Sequence, residues 1–193
     1  MELNRFWLLT NTCYGTWLPG DERGFVGQVK EHRRGDDAKN RIRHNIPGTE
    51  YDRSISGLVL GSAERLQSPP IHLDREQAKI LLTQFQETSR VRDWQLFAVA
   101  VMFNHFHIVV GVPGDPNPGK ILGDFKSWGT RKLSATFGAP VSETWWTERG
   151  SKRKLPNEDA VLGAVHYVLF DQPNPLITYS PETGIHFGIP KKK

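Results

Sequence analysis

Two apolar runs, Trp94 to Phe103 and His105 to Val112, follow one another with only Asn104 between them. Both are dense in Val, Ala, Ile and Phe, and each is short for a helix. The asparagine marks a tight turn, so the runs are expected to pair as an antiparallel hairpin. That hairpin commits the chain to an antiparallel sheet, and every other element must pack around it.

The flanking segments read as helices. Asp74 is a good N-cap with Gln77 three residues on as its capping-box partner, and the periodic residues Ala78, Leu81, Leu82 and Phe85 predict a helix to about Val91. A second helix is predicted over about 119–137, with Pro118 at its start and Ile121, Leu122, Phe125 and Leu133 inward. Asn157 caps a third, about Glu158 to Phe170, with acidic residues in its first turn. Arg5 to Cys13 reads as an opening strand, and Thr144 to Leu155 as two short strands joined at Gly150. The order strand, helix, strand, strand, helix, strand, helix predicts a ferredoxin-like α+β architecture, an antiparallel sheet with helices packed mainly on one face. Residues 1–175 are read as one domain with a long insertion at about 20–70, which holds a short strand or helix near Ile55 to Leu60, and residues 176–193 as an irregular basic tail with an extended piece near Ile185 to Ile189.

Strand side chains alternate between faces, so His105 and His107 project together while Phe106, Ile108 and Val110 point the other way. Two neutral imidazoles side by side on a rigid strand suit a divalent metal; the alternative is two separately hydrogen-bonded histidines. His32, His44, His72 and His186 lie in loop-like stretches and read as surface residues.

On the last helix, Val161, Leu162, Val165, Val168 and Leu169 form an apolar stripe, and Tyr167 falls on nearly the opposite side among Ala160, Gly163, Ala164 and Asp171. A core tyrosine belongs on the stripe, so this one is read as a nucleophile candidate, with a plain surface tyrosine as the alternative. The small neighbours leave room for a substrate backbone. His166 adjoins Tyr167 in sequence but sits about 100° around the helix. Asp171, one turn after Tyr167, points the same way and can offer a carboxylate oxygen to a metal.

The net charge is +4, from 25 basic and 21 acidic residues, but the basic residues are clustered at Lys30 to His44, Lys126 to Lys132, Arg149 to Lys154 and Lys191 to Lys193. Several such segments can converge on one polyanion. Lys126, Arg131 and Lys132 on the second long helix, and Arg149, Lys152, Arg153 and Lys154 beside Trp145 and Trp146, are the candidate DNA contacts; the tryptophans are read as base-stacking surfaces or as core. No run of eighteen apolar residues predicts a membrane span. The N-terminal stretch lacks a basic leader, and the single Cys13 cannot form an internal disulfide, so a cytoplasmic protein, in the bacterial cytosol with the nucleoid's DNA, is expected.

Asn104-His105-Phe106-His107 on a strand, with a helical tyrosine sixty residues downstream, resembles the single-tyrosine HUH transposases, which include insertion-sequence and REP-associated tyrosine transposases. The segment Tyr14-Gly15-Thr16-Trp17-Leu18-Pro19-Gly20 looks like a bacterial transposase-like subgroup. The resemblance implies cleavage and rejoining of single-stranded DNA, often beside a hairpin, through a covalent 5′-phosphotyrosine at Tyr167. It implies Mg²⁺ or Mn²⁺ at His105, His107 and Asp171, a homodimer, no nucleotide cofactor and no membrane. Members carry Asn or Gln four residues after the tyrosine, where this chain has Asp171, and Gln172-Pro173-Asn174-Pro175 departs from their Asn-Pro continuation. A nucleic-acid-binding module without catalysis, and a metal-dependent nuclease in which water attacks, are the competing readings.

Overall fold

The computed structural model describes residues 2–21, 30–31, 42–43 and 56–190. In chain order the elements are β1 (Arg5–Thr12), β2 (Lys30–Glu31), β3 (Ile42–Arg43), α1 (Ser56–Ala63), α2 (Arg75–Val91), β4 (Gln95–Val101), β5 (His105–Val112), α3 (Pro118–Phe137), β6 (Ser151–Leu155), α4 (Glu158–Phe170), β7 (Ile177–Ser180) and β8 (Gly184–His186). The main sheet runs β6-β1-β5-β4-β7-β8, and its paired neighbours are all antiparallel. Its β6-β1-β5-β4 part, with α2 and α3 as the connections, has the β-α-β-β-α-β order of the expected ferredoxin-like α+β fold.

The helix limits follow local chemistry. The Asp74 side chain accepts from Gln77 N while Gln77 Oε1 accepts from Asp74 N, and α2 begins there. Asn117 caps α3 with Pro118 in the first turn, where a missing N–H costs nothing. Asn157 Oδ1 accepts from Ala160 N at 2.9 Å and starts α4.

The sheet buries both faces. Leu9, Val99, Val101, Phe106, Ile108 and Val110 pack against α2 and α3 through Leu81, Phe85, Ile121, Phe125 and Leu133. Each such side chain contributes about 1.5–3 kcal/mol on burial. The other face carries Leu8, Ala98, Ala100, Met102 and Val109 beneath Val161, Ala164, Val168 and Leu169 of α4. The alanines keep that face shallow, so α4 lies close on β4 and β5. The two longest helices thus share one face, and among the described residues α4 packs on the other.

Three expectations are revised, and one left open is decided. Thr144 to Leu155 holds one strand, β6, rather than two; its first half is tied down as irregular chain, with Trp146 making only an isolated bridge to Cys13. The C-terminal segment is part of the sheet: β7 pairs with β4, and β8 folds back on it through a turn with Gly184 at φ +74°. The surrounding prolines masked an alternating Ile177-Thr178-Tyr179-Ser180 pattern whose side chains are largely buried. Leu162, assigned to the apolar stripe, is exposed, and Ala164 is buried in its stead. Trp145 and Trp146 are both core, their indole N–H groups donating to Ser134 and Thr130 of α3, so neither is a base-stacking surface. The insertion contributes α1, a helix where a short strand or helix was expected, and most of its remainder, with His32 and His44, lies outside the described residues. No helix among the described residues is long and apolar enough to cross a membrane.

Candidate active site

β5 is central, between β1 and β4, and delivers His105 and His107 to the α4 face of the sheet. His107 lies opposite Thr10 on β1 and Ala100 on β4. Thr10 Oγ1 is 2.7 Å from His107 Nδ1, and Asn104 Oδ1 is 2.6 Å from His105 Nδ1. The two Nε2 atoms stand 3.1 Å apart, within hydrogen-bonding distance: one ring can donate to the other, or both can offer lone pairs to a shared cation. Ligands about 2.1 Å from one ion and at right angles stand roughly 3 Å apart, so the pair fits two adjacent positions of a divalent site. Thr10 and Asn104 are then the outer partners that orient the rings.

Burial, together with the charge of His105, drives the His107 pKa down to about 3, against a smaller upward pull from a hydrogen bond with Gln172. The ring is therefore neutral near pH 7, the form that donates to a metal.

Tyr167 stands over this pair. Its ring meets that of His107 edge to face, centroids 5.5 Å apart, and 42% of the residue is exposed. Thr10, Asn104, His105, His107, Tyr167 and Gln172 line one open cavity of about 1410 Å³, with Ala160, Gly163 and Ala164 of α4 along its wall.

Asp171 is not part of that arrangement. It ends α4, and its carboxylate lies 3.3 Å from His166 Nδ1, both groups about half exposed. Helical spacing put Asp171 beside Tyr167, and its backbone is still helical, with its N–H on the Tyr167 carbonyl at 3.2 Å, but its carboxylate turns to His166. Gln172 is buried instead, its amide donating to the Tyr167 carbonyl at 3.2 Å while its side chain also reaches His107. Among the described residues no cluster of three His, Cys, Asp or Glu could hold an ion. Gln172, a neutral carboxamide, is the third polar side chain beside His105 and His107. Sequence reasoning missed Gln172 because the offset of five from the tyrosine is legible only once the helix end is seen.

The cationic candidates separate into three groups. Arg149 and Arg153 line the cavity. Lys152 and Lys154 alternate with Arg153 on β6 and so point to the opposite face; Lys152 Nζ donates to Gly150 O. Arg131 and Lys132 are exposed on α3, on the far side of the sheet, and Arg131 lies 4.6 Å above the Trp128 ring. Lys126 is half-buried and donates to the carbonyls of Thr147 and Glu148 at 2.7 and 2.8 Å. It holds the segment carrying Arg149 in place and is not offered to a phosphate; desolvation lowers its pKa. His72 and His186, read as surface residues, are respectively exposed against Phe103 and half-buried on β8, with His186 Nε2 bonded to Thr183 O.

Gly150 sets the start of β6. A Cβ there would collide with the Thr10 carbonyl and lie 2.6 Å from Asn11 Oδ1 and 2.8 Å from Leu122. Gly150→Ala is expected to push β6 off β1 and lower stability by about 1–3 kcal/mol, read as a fall in Tm. Gly163 is the converse. A Cβ there meets nothing within 4 Å, so Gly163→Ala should fit and raise helix stability by up to about 1 kcal/mol. If a substrate backbone runs over α4 at this point, the same methyl will weaken DNA binding; a variant both more stable and fully competent would show that the position is not a contact.

No family model matches the sequence, and no curated protein matches it. The solved structure of a REP-associated tyrosine transposase bound to a REP hairpin is similar to this chain, with a TM-score of 0.46 and 13% identity over 89% of this chain and 69% of that one.

Proposed function

We propose that this chain is a DNA strand transferase of the transposase kind, cutting and rejoining single-stranded DNA through Tyr167. The observation that carries the reading is the meeting, within one chain, of an exposed phenol and a pair of imidazoles whose Nε2 atoms converge at 3.1 Å. A tyrosine kept for packing alone would not stand out over the cavity beside two converging imidazoles.

His105, His107 and Gln172 would hold Mg²⁺ or Mn²⁺, and the two nitrogen donors favour Mn²⁺. What a divalent ion supplies there is neutralisation of charge on a non-bridging phosphate oxygen as the transition state forms. The chemical step belongs to Tyr167. Its oxygen attacks the phosphorus in line, the P–O3′ bond breaks, and the chain is left with a 5′-phosphotyrosine and a free 3′-hydroxyl. The phenol, ordinarily ionising near pH 10, gives up its proton as the bond forms, and the departing 3′-oxygen takes one up. A 3′-hydroxyl from another strand then attacks the same phosphorus and releases the tyrosine, so the bond energy is conserved and no nucleotide cofactor is required. Arg149 and Arg153 on the cavity wall are placed to hold flanking phosphates. Because nucleophile and donor set come from one chain, a homodimer would join two self-sufficient sites.

The test is incubation with single-stranded hairpin oligonucleotides and Mn²⁺, resolved under denaturing conditions. A protein–DNA adduct that requires the ion supports strand transfer. Cleavage without an adduct indicates a nuclease using water, and binding without cleavage under any metal indicates a binding module.

A further inference from the structure

We propose that Phe103 is a stacking platform for an unpaired base next to the phosphate at Tyr167. This rests on the strand-transfer reading and adds to it a residue that positions the substrate.

Phe103 occupies the β4–β5 turn, two residues before His105. The turn is held from both sides. Phe103 O accepts from Leu73 N at 2.6 Å, Asn104 O accepts from Cys13 N at 2.8 Å and from Thr16 Oγ1 at 3.1 Å, and Met102 N donates to His105 O at 2.8 Å. A backbone fixed this firmly, beside a packed core, nevertheless leaves Phe103 50% exposed. The His72 ring lies against it, centroids 5.3 Å apart, and Phe103 also lines the cavity that holds the histidine pair.

The chemistry of that cavity selects the occupant. Its lining includes the apolar Trp17, Pro19, Met102 and Phe103, the cationic Arg149 and Arg153, and the two imidazoles and the phenol. At about 1410 Å³ it exceeds the roughly 300–1,000 Å³ of small-molecule pockets. A polymer that alternates planar rings with anions matches it, and single-stranded nucleic acid is such a polymer, whereas a duplex keeps its base faces hidden. Phenylalanine has no hydrogen-bonding group, so the platform orients a base without reading its identity. It fixes which phosphate comes to rest at Tyr167.

The experiment uses the full chain carrying Tyr167→Phe, so that the probe stays intact, and compares binding of oligothymidylate with binding of an abasic oligomer having the same number of phosphates. The parent is expected to prefer oligothymidylate by roughly 5- to 100-fold, the range for one stacked base. Phe103→Ala should lose most of that preference and Phe103→Trp should keep it. The dependence on salt should be the same in all three, because phosphate contacts are untouched. An undiminished preference in Phe103→Ala, or none in the parent, overturns the platform. Adduct formation by the protein with Tyr167 intact is scored separately. Adduct without base preference rejects the platform alone, and base preference without adduct rejects strand transfer alone.

Discussion

Tyr167→Phe is expected to leave the protein folded and to abolish the covalent protein–DNA adduct. The substitution removes one oxygen from a residue that is 42% exposed, and the ring can keep its edge-to-face contact with His107. Stability should change by no more than about 0.5 kcal/mol. The effect on chemistry should be far larger, because the attacking atom itself is gone; removing a nucleophile costs on the order of a millionfold in well-studied hydrolases. Binding of single-stranded DNA should survive, since Arg149, Arg153 and the remaining cavity wall are unchanged. Denaturing electrophoresis measures the adduct and anisotropy measures binding. Cleavage at the parental rate by Tyr167→Phe would transfer the attack to water.

The second large effect separates adjacent residues. His105→Ala and His107→Ala should each abolish cleavage, and Gln172→Ala should lower both Mn²⁺ affinity and cleavage by at least about 10- to 100-fold, the range seen when even the outer partners of a metal site are removed. Asp171→Ala should change neither by more than a few fold, since its carboxylate is turned to His166. Mn²⁺ binding is read directly by electron paramagnetic resonance, independently of catalysis. The reverse ranking, with Asp171 indispensable and Gln172 dispensable, would mean that the carboxylate swings into the site when the ion arrives.

The ranking turns on which side chain faces the histidines. Offsets of three and four share a helix face, and Tyr167 lies on the cavity side of α4. Asp171 keeps helical backbone, with its N–H on the Tyr167 carbonyl, but its carboxylate pairs with His166, while Gln172 bonds back to the same carbonyl and reaches His107. The cationic residues divide on a similar point. A cluster in sequence is spread over both faces as soon as it enters a strand, so Arg153 lines the cavity while its neighbours Lys152 and Lys154 do not. Lys126, on a helix, was drawn in to bond two carbonyls of a segment twenty-one residues away.

What the amino-acid sequence determined by itself was local and periodic: the caps at Asp74 and Asn157, the start of α3 at Pro118, the hairpin about Asn104, the common face of His105 and His107, and the side of α4 that carries Tyr167. Each depends on neighbours within a few residues, where backbone geometry leaves little choice. Tertiary structure alone decided which strand edges meet, and therefore that Thr10 steadies His107, that β7 extends the sheet and that Gln172 reaches His107. Those contacts join residues far apart in the chain, and they are settled only when the hydrophobic faces of α4 and the sheet close on one another.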